Sequence, residues 1–266
     1  MAEVTLELIK ELRERTGAGI MDAKEVLKEA EGDMEKAVEL LRKKGDKISL
    51  KKQDREAKEG VIAFSREGNR IAVVELYCET DFVARNADFI AAADALAKKL
   101  LNTDTATFES WAKDEIKNNL IVKVGENLQL GKFEIIEGGV IDSYLHINKK
   151  VASIIVLSGG DEQLAHSIAM QVAAMNPPYL SPNDVPEDEK QKEMEIYREQ
   201  LAGENKPENV MEKIIEGKMN KYYSEVCLLK QSFFQEEKKT IEDLMKETAV
   251  KLGKEIEIEK FIRYSI

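Results

Sequence analysis

Histidine and cysteine are nearly missing from this sequence, and their scarcity removes whole classes of chemistry. His146 and His166 are its two histidines, Cys78 and Cys227 its two cysteines. No HxxxH, HxH or CxxC spacing links them, which argues against a protein metal site, and no metal or other cofactor is expected. Cys78 falls inside an apolar strand-like run, where a buried reduced thiol is the expected state and points to a reducing compartment. Phosphate-cradling and nucleophile motifs are missing as well: there is no GxxxxGK[ST], GxGxxG or GxSxG. No stretch approaches the ~20 apolar residues that a membrane span needs, and Met1-Ala2-Glu3-Val4 lacks a charged-then-apolar leader pattern, so no membrane association and a cytoplasmic location are expected. Positive charge is in deficit. Forty basic residues against 51 acidic ones give a formal net charge of −11, which repels phosphate backbones and favours protein partners over direct nucleic-acid binding.

What remains is an ordinary globular alphabet. At 43% hydrophobic and 34% charged residues, the 266-residue chain can form two or more units with real cores. Residues 1 to about 45 carry three helical stripes: Leu6, Ile9 and Leu12; Met21, Val26, Leu27 and Ala30; Met34, Ala37, Val38 and Leu41. Thr16-Gly17-Ala18-Gly19 and Gly32-Asp33 separate them, with Asp33 suited to cap a helix. This unit resembles the helical modules of ubiquitin-associated type, which offer a small apolar surface to a partner; by spacing alone, Gly17-Ala18-Gly19 is equally a plain turn. Between Lys43 and Lys58 a charged run, including Lys44, Lys47, Lys51, Lys52 and Arg55, reads as a linker, either a solvated helix or a tether.

The remainder repeats itself. Gly60-Val61-Ile62 returns as Gly139-Val140-Ile141, 79 positions further on, and the same shift aligns Asn69 with Asn148 and Cys78 with Leu157. Each copy reads strand, turn, strand, helix: strands over 61–66 and 70–78 with a helix through Leu100, then strands over 140–147 and 151–157 with a helix opened by Asp161 and striped by Leu164, Ile168, Val172 and Met175. Trp111, Ile116, Leu120 and Val122 predict another helix with Trp111 in the core, and Leu128 to Ile136 a strand. Pro177, Pro178, Pro182 and Pro186 lead into two charged helices near 187–203 and 207–223, turned back on each other between Gly203 and Pro207. Met194, Tyr197 and Leu201 would meet Met211, Ile215, Met219 and Tyr222. After Phe233-Phe234, a helix near 240–252 and a strand from Glu255 to Tyr264 would complete the second sheet.

The expected fold is therefore α+β: an N-terminal three-helix module, a core of two repeated α+β subdomains with antiparallel sheets, and an inserted antiparallel helical hairpin. The corresponding division is 1–54 for the module and linker, 55–139 for the first core subdomain, 140–180 with 227–266 for the second, and 181–226 for the hairpin.

The copies differ at one place. The second passes from Leu157 through Ser158-Gly159-Gly160 directly to its helix, whereas the first inserts about eight residues around Thr80-Asp81-Phe82-Val83-Ala84-Arg85-Asn86. Two readings of Phe82 are open: a ring tucked under its own domain, or a projecting wedge. Burying one aromatic in a partner's pocket is worth ~1.5–3 kcal/mol, and an adjacent carboxylate can disturb groups around a bound cation.

That heptad, with Glu11-Leu12-Arg13-Glu14-Arg15-Thr16-Gly17-Ala18-Gly19-Ile20-Met21-Asp22 and His166-Ser167-Ile168-Ala169-Met170-Gln171-Val172-Ala173-Ala174, closely resembles the bacterial translation elongation factor Ts family over nearly the whole chain. The resemblance implies a guanine nucleotide exchange factor for elongation factor Tu, with no bond-making chemistry of its own. It implies that Thr80, Asp81, Phe82 and Val83 dislodge magnesium from the partner, Phe82 entering an apolar pocket of the GTPase domain and Asp81 supporting the displacement. It implies further contacts by Arg13, Thr16, Gly17, Ala18, Gly19 and Ile20 with the GTPase domain and by His146 with a second domain, and it is compatible with a dimer or a 2:2 complex. Family members commonly continue beyond the match to Phe261-Ile262-Arg263-Tyr264 into a further short helical module, while this sequence ends at Ile266, so that module's contacts are expected to be lost or replaced. An adaptor that binds through residues 1–45 without altering nucleotide, and an enzyme using dispersed carboxylates, are the alternatives to be separated.

Overall fold

The computed structural model describes residues 4–52, 55–202 and 207–266, and the side chains of these apart from 45–52. The expectations on Met1 to Glu3, on the side chains of Lys47, Lys51 and Lys52, and on Gly203 lie outside the described residues.

Local signals place the first three helices. The Thr5 hydroxyl accepts the Leu8 amide at 3.3 Å and opens α1 (Leu6–Thr16). Gly17 closes it at φ 70°, a left-handed conformation that costs glycine little. Helix α2 is Ile20–Glu29, and Asp33 accepts the Lys36 amide at 3.0 Å to start α3 (Met34–Lys52). The apolar stripes meet in one small core of Leu12, Ala18, Ala23, Leu27, Ala37 and Leu41. The third helix does not stop at the charged run. It continues to Lys52, because lysine is a good helix former and the single glycine of the run, Gly45, weakens a helix without breaking it, so the linker is largely helix.

Strands β1 (Glu59–Glu67) and β2 (Arg70–Cys78) form an antiparallel hairpin whose register runs from Glu59 opposite Cys78 to Glu67 opposite Arg70. A four-residue helix α4 (Asp81–Ala84) precedes α5 (Ala87–Leu101), and α6 (Thr105–Glu115) runs through a π turn (Ile116–Leu120) into α7 (Ile121–Val124). Strand β3 (Gln129–Glu137) then pairs with β2 to give the order β1-β2-β3. Alternate residues Val61, Ala63, Ala72, Val74, Leu76 and Cys78 share a core with Phe89, Leu96, Leu100 and Phe108 from the helices. Trp111 is only half-buried against that core, with the Lys99 ammonium 5.4 Å above its ring, so it edges the core where the interior was expected.

The second sheet has the order β4-β5-β8, from β4 (Val140–Leu145), β5 (Val151–Leu157) and β8 (Ile258–Ser265). Asp161 caps α8 (Glu162–Met175) through the Leu164 amide at 2.8 Å, and left-handed Asn176 ends it. Leu164, Ile168 and Val172 are buried, but Met175, in the last turn, is half-exposed. Helices α9 (Glu187–Leu201) and α10 (Glu208–Val226) pack along a seam where Leu201 and Met219 are buried. Met194, Met211 and Ile215 line it as expected together with Tyr223, and the half-buried Tyr222 turns its hydroxyl to Glu189 of α9 at 3.5 Å. A short hairpin of β6 (Ser232–Phe233) and β7 (Glu236–Thr240), which the sequence reading lacks, leads to α11 (Ile241–Leu252).

The two sheets thus repeat one plan: a hairpin, a helix, and a third strand paired with the second. The fold is mixed helix and antiparallel sheet with an N-terminal helical module. By internal contacts the chain separates into two units, residues up to Glu137 with Leu145–Val151 and Tyr264–Ile266, and Gly138–Tyr144 with Ala152–Arg263.

Candidate functional site

Eight residues (79–86) join β2 to α5, and four (158–161) join β5 to α8. The net difference is four residues, the length of α4, and not the eight expected from strand alignment. This added helical turn carries Phe82.

Phe82 is 83% exposed, whereas Ala84, two residues on, is buried in the core below. Of the two readings left open by the sequence, the projecting ring is the one observed. An exposed aromatic on so short a helix needs external support, since an isolated turn is far below the length at which a helix persists. Support comes from both ends. The Thr80 hydroxyl caps the turn by accepting the Val83 amide at 3.4 Å, and the Thr80 carbonyl accepts the Ala84 amide at 3.2 Å and the Cys78 thiol at 3.2 Å. Downstream, the Asn86 side chain accepts the amides of Asp88 at 2.8 Å and Phe89 at 3.4 Å, fixing the entry to α5.

A second strand of chain clamps the turn from the side. One Glu126 oxygen accepts the backbone amides of Glu79 and Thr80, both at 3.0 Å, and the other accepts the Thr80 hydroxyl at 2.6 Å. In return a Glu79 oxygen accepts the Asn127 amide at 2.7 Å. Sequence reasoning missed Glu126 and Asn127. They lie more than forty positions away, and Glu126 is one of 51 acidic residues with no local pattern to single it out.

Asp81 points its carboxylate at Arg85, 3.1 Å away and one turn on, and is itself partly exposed. The resting turn therefore offers a phenylalanine ring beside a carboxylate already paired with a guanidinium.

The loop Thr16 to Ile20 is built from its own contacts. Arg13 Nε donates to the Ala18 carbonyl at 3.2 Å, the Thr16 hydroxyl donates to the Leu12 carbonyl at 2.6 Å, and the Gly17 amide donates to the Arg13 carbonyl at 2.7 Å. Ala18 is buried, while Ile20 and Met21 are exposed at 55% and 76%. Gly17 lies against α7: a Cβ there would come within 2.5 Å of the Lys123 side chain. One cleft of about 630 Å³ is lined by Gly17, Val83, Asn86, Trp111 and Lys123, so the N-terminal loop and the turn share a rim. His146 does not line it. It sits exposed at the turn after β4, its amide donating to the Val151 carbonyl at 2.9 Å, next to the almost fully exposed Ile147. Among the described residues no group of three or more His, Cys, Asp or Glu is placed to hold a metal ion, and no helix is long and apolar enough to cross a membrane.

Comparison with known proteins points in one direction. The family model described as elongation factor TS matches residues 79–266. An elongation factor Ts of Clostridium botulinum is 42% identical over 98% of this chain and 92% of its own length. Those of Desulfovibrio desulfuricans and Deinococcus radiodurans are 39% and 40% identical, covering 100% and 98% of this chain and 99% of their own lengths.

Proposed function

The chain belongs to the elongation factor Ts family, translation elongation factors that act as nucleotide exchange factors for elongation factor Tu, and from that premise we propose that it opens the partner's nucleotide site with the Phe82 turn. The observation that carries this reading is Phe82 itself, 83% exposed on a turn that is capped, clamped and rooted in the core. In this mechanism the ring enters an apolar pocket of the GTPase domain, and Asp81 exchanges Arg85 for groups that hold the magnesium ion. Thr80 and Val83 set the turn's direction. No covalent step is assigned to this chain.

The energetics require more than the ring. A thousandfold acceleration of GDP release lowers the barrier by about 4 kcal/mol, beyond the ~1.5–3 kcal/mol available from burying one aromatic. We assign the remainder to the loop around Arg13, Thr16, Gly17, Ala18, Gly19 and Ile20 on the GTPase domain, and to His146 on a second domain. The division into an N-terminal module, two core subdomains and an inserted hairpin then separates docking from prying. Binding is reciprocal: a factor that weakens nucleotide binding is itself weakened by nucleotide to the same degree, so arriving GTP releases it.

Stopped-flow release of fluorescent GDP from elongation factor Tu tests the proposal. Phe82→Ala should keep the fold and slow saturated release by about tenfold or more, the equivalent of losing most of a buried ring. Asp81→Ala should lose less, because the partner's own groups still hold the ion. Unchanged release with Phe82→Ala removes the wedge, and binding without any acceleration by the unaltered chain would make it an adaptor.

A further inference from the structure

The turn that presents Phe82 is held by a carboxylate outside it, and the path of that carboxylate back into the fold is short. Three donors converge on Glu126: the amides of Glu79 and Thr80 at 3.0 Å each and the Thr80 hydroxyl at 2.6 Å. The reverse bond from the Asn127 amide to Glu79, at 2.7 Å, makes the clamp reciprocal. Asn127 is buried and its side-chain amide donates to the Arg55 carbonyl at 2.9 Å, so the chain bearing the clamp is itself pinned. Just before Glu126, left-handed Gly125 closes α7, and Val122 of that helix is part of the N-terminal module's core. The clamp is thus the last link of a chain of contacts from the docking module to the turn.

We infer that Glu126 is a positioning residue for nucleotide exchange, holding the turn at Thr80 so that Phe82 points outward before the partner arrives. The inference rests on the wedge reading above. Hydrogen bonds to a charged acceptor are the stronger kind, and three of them converge where the chain would otherwise pivot between β2 and α4. A turn whose backbone is already fixed loses less freedom when its ring inserts, and docking is assigned to the loop around Arg13 to Ile20 and to His146, so the clamp's effect falls on the rate of prying.

Glu126→Gln keeps the size of the side chain but leaves a single acceptor oxygen for three donors. In GDP-release titrations it should lower the saturated rate about tenfold while leaving the half-saturating concentration nearly unchanged. In a Phe82→Ala background the same substitution should have almost no further effect, because a clamp that works through the ring has nothing left to position. A residue that merely stabilised the fold would slow both backgrounds equally, and that result overturns the inference. Phe82→Ala slow with Glu126→Gln at the normal rate overturns the clamp and leaves the wedge standing; Phe82→Ala at the normal rate overturns both. Should Glu126→Gln fail to fold, Glu126→Asp asks the same question: it keeps the charge but draws the carboxylate back by one methylene from its three donors, so it should lower the saturated rate in the unaltered chain and hardly at all in the Phe82→Ala background; an equal loss in both backgrounds overturns the clamp.

Discussion

Cys78 lies directly beneath the turn and reports whether it is closed. Burial pushes its thiol up to about 12 from an ordinary 9.0, with the negative charges of Glu126 and Glu59 adding to the effect and the Lys150 charge opposing it. Cys227, also buried, is pushed up to about 11. A raised thiol pKa favours the neutral folded form. Its contribution is therefore complete below pH 9.0 and is lost as pH climbs towards about 12, where the unfolded chain has already ionised. At pH 8 the native protein should accordingly leave both thiols unmodified by a disulfide reagent over minutes, and both should react at once in denaturant. Immediate reaction of Cys78 in the native protein would mean that the segment around Thr80 opens freely, against the clamped turn described here. Burial of Cys78 was legible from its place in an apolar strand-like run; the Glu126 carboxylate was not.

Elements with a period could be read, and those without one could not. The long helices carry stripes at 3.6 residues, and β2 and β5 are continuous apolar runs of strand length, buried on both faces, so their positions follow. The four-residue α4 and the two-residue β6 span about one period each, too little for a repeat to show, so they emerge only when caps and pairing partners are supplied. Charge alone left α3 open between helix and tether, and the lysines of the run sustain a helix. Asn86 is the case in which one side chain sets an element: its two capping bonds start α5, whose first turn seats Phe89 in the core at 1% exposure. Asn86→Ala should cost about 1 kcal/mol of stability, whereas Asn86→Asp, an equivalent cap, should cost little. Urea unfolding followed by circular dichroism distinguishes them. Equal losses for the two would show that the cap is not what holds the helix start.

At the scale of the molecule, one plan is used twice and one copy has been given a tool. The duplication was visible in the sequence through a three-residue match and the alignment of turn residues, and the observed strand orders, β1-β2-β3 and β4-β5-β8, have the same connectivity. The second copy shows that the plan closes without α4, since Asp161 caps its helix directly from a four-residue connection. Replacing residues 79–86 by the Ser-Gly-Gly-Asp sequence of 158–161 should therefore give a chain that still folds. The replacement removes buried Ala84 and half-buried Val83 from the first core and leaves Glu126, itself partly exposed, to water. A loss of about 2–3 kcal/mol is expected from those two side chains and the clamp bonds together. Helix content by far-ultraviolet circular dichroism should be close to that of the unaltered chain, and unfolding should remain cooperative. Acceleration of GDP release from elongation factor Tu should fall to the level of Phe82→Ala or below, because ring, carboxylate and cap leave together. A folded chimera that still accelerates release at the full rate would locate exchange elsewhere in the molecule, in the surfaces that both chains retain.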